Sequence, residues 1–242
     1  VRTAVFCHIY YPELADELFE YIANIPHPCD LWVNIPSTVS WPDRIRIIES
    51  SNRSGCGDNR YFRISENRGR DIGGFLHLLD GARESGRKYD LVAFVHSKAH
   101  NGLGANLGRL WRRQLLEPIL GSPARVRQII KWFWQEPKLG MVGADKWVYE
   151  ESRTGGPELI NRTKLHLKRL RKRFEIPETP GRFVAGTIFW ARWKPLSEGL
   201  AFGNASQEEL ETLNRRDGLK YHAYETLFGL LMHKAGLTVE GI

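Results

Sequence analysis

The chain has 242 residues, 42% of them apolar and 26% charged, the balance of a soluble globular protein with a sizeable core. No run of eighteen uncharged apolar residues occurs, which excludes a transmembrane helix, and three cysteines without a CxxC pair argue against a zinc site or a disulfide framework and fit a reducing compartment. Lysine and arginine exceed aspartate and glutamate by seven, which favours an anionic partner: nucleic acid, a membrane surface or a phosphorylated small molecule.

Thr3 to Tyr10 reads as a first strand and Pro12 to Ile25 as a helix with Leu14, Leu18, Tyr21 and Ile22 on one stripe. Asp30 to Asn34 is a second short strand, Arg44 to Ser50 a short helix, and Ser51 to Asn59 is turn-rich. The apolar runs YFRI, from Tyr61, and LVAFV, from Leu91, have the length and composition of buried strands, with a helical pattern from Phe75 to Arg87 between them. Such alternation predicts an α/β fold with a mostly parallel, helix-covered sheet.

The glycine-rich stretch after Lys98 has the composition of a moving lid. Helices are expected over Leu107 to Leu120, broken near Pro118, and over Ala124 to Trp134, with Ser122 as cap and Pro123 in the first turn. Leu139 to Ala144 reads as a strand edge and Glu158 to Phe174 as a long basic helix. Phe183 to Ala191 is a strongly apolar strand, Tyr221 to Gly236 a helix and Leu237 to Val239 a last strand. Trp132, Trp134 and Trp190 sit in apolar runs and read as core, which argues against nucleic acid. With no linker after Tyr61, residues 1–242 read as one domain, and a start without methionine, almost directly in a strand, points to excision from a longer chain.

Two polar clusters follow buried strands, where ligands of open α/β sheets bind. In Asn67 to Gly74, Asp71-Ile72-Gly73-Gly74 permits a tight turn and close ligand approach. Arg68 and Arg70 can pair with a diphosphate, and Asp71 can hold a ribose hydroxyl, a base edge or a helix cap. In His96-Ser97-Lys98, the lysine is a natural phosphate partner, and the histidine a metal ligand, a proton shuttle, a phosphate donor or a loop anchor. His222 and Glu225, three apart, share a helix face; the glutamate is either a general base or a surface carboxylate. The basic helix is either a solvated face or one that meets an anionic membrane surface.

Five ordered stretches, Asn67 to Gly73, Tyr89 to Lys98, Trp111 to Leu116, Val184 to Arg192 and His222 to Glu225, resemble the rhamnan synthesis protein F family, bacterial glycosyltransferases of cell-wall and O-antigen polysaccharides. Ser97 stands where that family usually has threonine. The resemblance implies a GT-A-like fold, a Rossmann-type mixed sheet between helices, and transfer of L-rhamnose or another deoxyhexose, with inversion, from a nucleotide-sugar such as dTDP-rhamnose to a glycan or lipid-linked glycan. It implies a cytoplasmic protein, with the inner membrane face as a peripheral partner. By the same resemblance Asn67, Arg68, Gly69, Arg70, Asp71, Gly73, His96, Ser97 and Lys98 bind the donor, Asp30 to Ser37 lie near the base, Glu225 is the base with His222 beside it, and Asp145 contacts the acceptor. His96-Ser97-Lys98 falls where related enzymes carry an aspartate pair for a divalent metal. With that pair absent no cofactor is assigned outright: a divalent metal stays open as one alternative, and neutralisation of the diphosphate by His96 and Lys98 is the other. The competing readings are a non-catalytic GT-A-like domain that binds glycan or nucleotide-sugar, and a phosphate-ester enzyme, which Asp71 as the sole strand-end carboxylate disfavours.

Overall fold

The computed structural model describes residues 1–98, 105–151, 157–210 and 220–242, the side chains of 105 and 157–162 excepted. Its strands are β1 (Thr3–His8), β2 (Cys29–Pro36), β3 (Asn59–Ser65), β4 (Leu91–His96), β5 (Leu139–Gly143), β6 (Val148–Glu150), β7 (Arg182–Val184), β8 (Phe189–Arg192) and β9 (Thr238–Gly241). The helices are α1 (Ala15–Ile22), α2 (Trp41–Ser54), α3 (Arg70–Glu84), α4 (Ala105–Leu120), α5 (Pro123–Gln135), α6 (Pro157–Phe174), α7 (Trp193–Phe202) and α8 (Lys220–Lys234).

Seven strands form one sheet in the order β3-β2-β1-β4-β8-β5-β9, and β6 pairs with β7 in a small second sheet. β3, β2, β1 and β4 run parallel; β8 is antiparallel to β4 and β5, and β9 is parallel to β5. Side chains alternate between faces along each strand. Ala4, Phe6, Trp32, Val92, Phe94 and Phe189 pack with α3, α6, α7 and α8 on one face. Val5, Cys7, Leu31, Val33, Val95 and Trp190 pack with α1, α2, α4 and α5 on the other. The result is a helix–sheet–helix sandwich with an apolar core on each face, a mixed and largely parallel α/β architecture.

Several elements depart from the pattern in the sequence. α3 starts at Arg70, so Asp71, Gly73 and Gly74 lie in its first turns and not in a loop. The glycines that mimic a turn signal are there for contact: a Cβ on Gly73 would stand 1.7 Å from the Arg68 carbonyl oxygen, and one on Gly74 2.2 Å from His8 Nδ1. α4 continues through Pro118 unbroken. Ser122 caps α5 as its position predicts, its Oγ accepting from the Arg125 N–H. Trp134 is 66% exposed, against its expected place in the core. β5 lies inside the sheet, between β8 and β9, and is no edge. The expected strand Phe183 to Ala191 is two strands in two sheets, parted at residues 185–188, where Gly186 (φ 85°) and Thr187 (φ 53°) are both left-handed. Residues 99–104 of the glycine-rich stretch lie outside the described residues.

Candidate functional site

The site is built on one rung of the sheet. His8 is in register with Asn34 on one side and His96 on the other. Each stands two residues after a buried aromatic, Phe6, Trp32 or Phe94, so alternation turns all three to the face covered by α3 and α8. Asn34 and His8 are joined at 2.9 Å through Nδ2 and Nδ1. That contact makes His8 Nδ1 the acceptor and leaves the proton on Nε2. Burial holds the His8 imidazole down at about 4, against the attraction of Asp71, so the ring is neutral.

The first turns of α3 pack onto this rung at the close approach of Gly74 to His8. One turn earlier, the Asp71 carboxylate accepts from the Thr187 hydroxyl and stands 3.5 Å from His96 Nε2. Burial pushes Asp71 upward, but His96, Lys98, the Thr187 hydroxyl and His8 together outweigh it and hold the carboxyl at about 2. Burial lowers His96 from its usual range, partly opposed by Asp71. His96 is therefore neutral, with Nε2 donating to the Gly186 carbonyl at 2.9 Å.

The interruption between β7 and β8 ties the cluster together. Ala185 N–H donates to the Trp147 carbonyl at 2.8 Å, and Gly186 N–H donates to Glu225 Oε1 at 2.5 Å. The Gly186 carbonyl takes His96, and the Thr187 hydroxyl takes Asp71. A β-branched residue with positive φ is an outlier that its surroundings must enforce, and here the Thr187 hydroxyl bond to Asp71 does so. Glu225 comes from α8, where ten residues are buried, Lys220, His222, Glu225 and His233 are half-buried and Lys234 alone is exposed. Desolvation pushes the Glu225 carboxyl up to about 7, with Asp71 adding to the rise and Lys98 and the Gly186 N–H opposing it.

Lys98 follows β4 and is half-buried. Its ammonium lies 4.4 Å from the centroid of the Trp111 ring, and its carbonyl accepts from Arg112 at 3.1 Å. Arg112 is itself buried and clamped on Glu17 at 2.8 Å. Lys98 Nζ has no hydrogen bond or ion pair among the described residues. It stands 3.5 Å from where a Cβ on Gly186 would be. A cation with no ion pair among the described residues, at a strand end and with Asp71 and Glu225 as charged neighbours, is chemically suited to a phosphate.

The structure brings Asp71, His96, Lys98 and Glu225 together around Gly186 and Thr187. Ser97 Oγ accepts the Tyr10 and Tyr11 N–H groups at 2.8 and 2.9 Å and so braces the turn after β1. Arg68 faces the protein, bound to Glu66 at 2.7 Å and to the Glu208 carbonyl at 3.1 Å. Arg70 is exposed, its guanidinium 5.1 Å from the Tyr221 ring centroid, and His222 is half-buried with its ring 4.3 Å from that of Tyr221. Gly69 is left-handed and abuts Leu210; Asn67 is half-buried at the end of the same loop. Asp145 is exposed at the carboxyl end of β5, two residues before Trp147, its N–H bonded to the Ile242 carbonyl. Asp30 lies at the opposite, amino-terminal end of the sheet, away from this cluster.

Sequence reasoning missed His8, Arg112 and Thr187 and reached Asn34 only within the stretch Asp30 to Ser37. One signal was available: β1 and β4 both end in Phe-x-His, Phe6-Cys7-His8 and Phe94-Val95-His96, so two neighbouring strands place histidines alike.

Among the described residues, the ligand-type side chains close enough to share an ion are His27, Cys29 and Asp58, at the amino-terminal end of β2. At the carboxyl ends, the position after β4 offers a histidine whose Nε2 donates to a carbonyl, a serine that accepts two N–H groups, and an ammonium. These groups do not fit a magnesium or calcium ion, which requires clustered oxygen donors.

A family model described as rhamnan synthesis protein F matches residues 1–237. The chain belongs to the rhamnan synthesis protein F family. Two curated proteins from two strains of Xanthomonas campestris pv. campestris, each described as uncharacterized protein WxcX, are 28% identical to it over 237 residues. The alignment covers 96% of this chain and 31% of each relative, so the chain spans about a third of their length. Membership in the rhamnan synthesis protein F family ties the chain to the assembly of sugar polymers. No helix among the described residues is long and apolar enough to cross a membrane.

Proposed function

We propose that this chain is a glycosyltransferase domain that moves a sugar from a nucleoside-diphosphate donor to a glycan hydroxyl with inversion. Glu225 carries the reading: a carboxylate held at about 7, fixed by the Gly186 N–H, with the ammonium of Lys98 among its charged neighbours. The mixed sheet with its single reversed strand, β8, supports the GT-A-like assignment. The family supports a deoxyhexose donor, L-rhamnose first.

In the reaction, the acceptor hydroxyl oxygen attacks the anomeric carbon as the bond from that carbon to the diphosphate oxygen breaks. Glu225 takes the hydroxyl proton, and a base near 7 is matched to that task at neutral pH. Negative charge develops on the departing diphosphate, where Lys98 and the N–H groups of the first turn of α3 stabilise it. Asp71, ionised and bound to Thr187, fixes the Gly186–Thr187 segment and can take a donor hydroxyl on its second oxygen. Arg70, exposed at the start of α3, can reach the same phosphates, whereas Arg68 serves the loop. No step of this reaction is assigned to a metal, and turnover with and without magnesium decides whether one is needed.

The test is a panel of nucleoside-diphosphate sugars with glycan acceptors, with and without magnesium, measuring nucleoside diphosphate release. Glu225→Gln should cut transfer about 10²–10⁴-fold while nucleoside-diphosphate binding persists. Full activity in that variant removes Glu225 as base. Neither turnover nor donor binding across the panel favours a non-catalytic domain.

A further inference from the structure

A base at Glu225 requires an acceptor hydroxyl beside it, and the segment that carries Gly186 has a second flank. Ala185 hangs from the Trp147 carbonyl, and β6 continues from Trp147 in antiparallel register with β7, Val148 opposite Val184 and Tyr149 opposite Phe183. Aromatic rings line this flank outward from the site. The Lys98 ammonium sits over Trp111 at 4.4 Å, Trp111 is 5.8 Å from Trp147, and Trp147 is 6.5 Å from Tyr149, centroid to centroid. Trp111 and Trp147 are half-buried and Tyr149, the outermost, is exposed. Asp145 and Lys146, both exposed, adjoin it.

We propose that Trp111, Trp147 and Tyr149 form the platform on which the acceptor glycan lies; the proposal rests on the transferase reading above. A pyranose has an apolar C–H face and a rim of hydroxyls. Partly exposed aromatic rings, with Asp145 and Lys146 next to Trp147 in the chain, match both, since apolar walls with a few placed polar groups are what a ligand site requires. The strand order separates this flank from the donor. Of the anion-binding groups, α3 with Arg70 lies under the β1 side of β4 and Lys98 follows β4 itself, whereas Trp147 and Tyr149 follow β5 on the other side. Gly186 and Glu225 stand between the two. The rings therefore lead from outside to the Lys98 ammonium, which is a charged neighbour of Glu225, so the acceptor would meet the donor diphosphate and the base at that point.

The experiment compares wild type with Tyr149→Ala and Trp147→Phe, with Phe202→Ala as an exposed aromatic control on α7. Trisaccharides of rhamnose, mannose and galactose are titrated by tryptophan fluorescence and saturation-transfer NMR, and nucleoside-diphosphate affinity and melting temperature are measured in parallel. Tyr149→Ala should weaken the bound trisaccharide about tenfold and raise the acceptor KM without changing kcat, donor KM or melting temperature. Phe202→Ala should change none of these. Binding of no trisaccharide by wild type, or equal binding by Tyr149→Ala and Trp147→Phe, overturns the platform. Trisaccharide binding that depends on Tyr149 in a protein that never turns over a donor keeps the platform and removes the transferase. Turnover with an acceptor KM indifferent to both substitutions does the reverse.

Discussion

Each end of the parallel sheet holds a buried carboxylate, and the two are treated in opposite ways. At the amino-terminal end, Asp30 is 1% exposed and surrounded: Arg2 at 3.0 Å, Asn59 at 2.7 Å, Tyr89 at 2.9 Å and Arg87 at 3.5 Å, with Trp32 donating to the Tyr89 hydroxyl behind. Every charge there has a counter-charge within the chain. At the carboxyl end, Asp71 and Glu225 share a space with two neutral histidines and a lysine that has no ion pair among the described residues, and the backbone beside them is strained at Thr187. The first arrangement is complete without a ligand and serves the fold. The second leaves charge unspent, the state expected of a site that must bind an anion and move a proton.

The largest effect expected from breaking this comparison is at the complete end. Asp30→Ala should cost about 3 kcal/mol of stability, since it strands two guanidinium groups, the Tyr89 hydroxyl and the Asn59 amide around a cavity. Donor binding by the folded protein should not change. Denaturant unfolding with nucleoside-diphosphate titration measures both, and a loss of affinity without a loss of stability would reverse the roles of the two ends. At the other end, Lys98→Met should do the opposite. Transfer should fall about 10²-fold and nucleoside-diphosphate affinity should weaken, with the melting temperature unchanged or higher, because no ion pair is lost. Isothermal titration and thermal melts on one variant decide it.

The fold was legible in the sequence to the extent that periodicity carries it. The apolar runs at β1 to β4 and the capped α5 stand where alternation and Ser122-Pro123 put them. What failed were places where tertiary contact overrides local pattern. Gly73 and Gly74 look like turn residues, yet they are helical and small because His8 and the Arg68 carbonyl lie against them. Phe183 to Ala191 looks like one strand, yet it breaks at Gly186 and Thr187, and the break supplies the groups that meet Glu225, His96 and Asp71. Residue types marked Asp71, His96, Lys98 and Glu225 as chemistry. Their meeting depends on register across three strands and on a kink that no local rule announces.

A smaller effect separates the two ends by pH. Glu225 in the folded protein titrates near 7, above its ordinary 4.5, so the native state holds a proton that the unfolded state releases. Its contribution to stability is present below about pH 4.5 and is lost as pH rises towards 7. Glu225→Gln keeps the oxygen that accepts the Gly186 N–H and removes that loss. The variant should match wild type near pH 4.5 and exceed it by on the order of 2 kcal/mol at pH 8, the shift being discounted for partial exposure. Asp71, held at about 2, has the opposite sign: its contribution is lost only as pH falls below 3.8. A melting-temperature gap that stays constant from pH 5 to 8 would mean that Glu225 is not raised. Activity should follow the same group, kcat/KM rising tenfold per pH unit until about pH 7 and then levelling, with burial setting the midpoint and Lys98 and Asp71 the charged neighbours that adjust it.

The smallest effect tests whether strain at the carboxyl end is held for a purpose. Thr187 stands at φ 53°, a conformation asparagine accepts more readily than a β-branched residue. Thr187→Asn also retains a donor for Asp71, so it should raise stability by about 0.5–1 kcal/mol. The side chain is longer and its donor is placed differently, so Asp71 and Gly186 should shift, and transfer should fall severalfold with donor affinity kept. That split, a more stable protein that turns over more slowly, is what a site strained to position a base produces. A variant with both stability and turnover unchanged would show that the bend at Thr187 is only a way of leaving one sheet for the other, and the two ends of the molecule would then differ in charge alone.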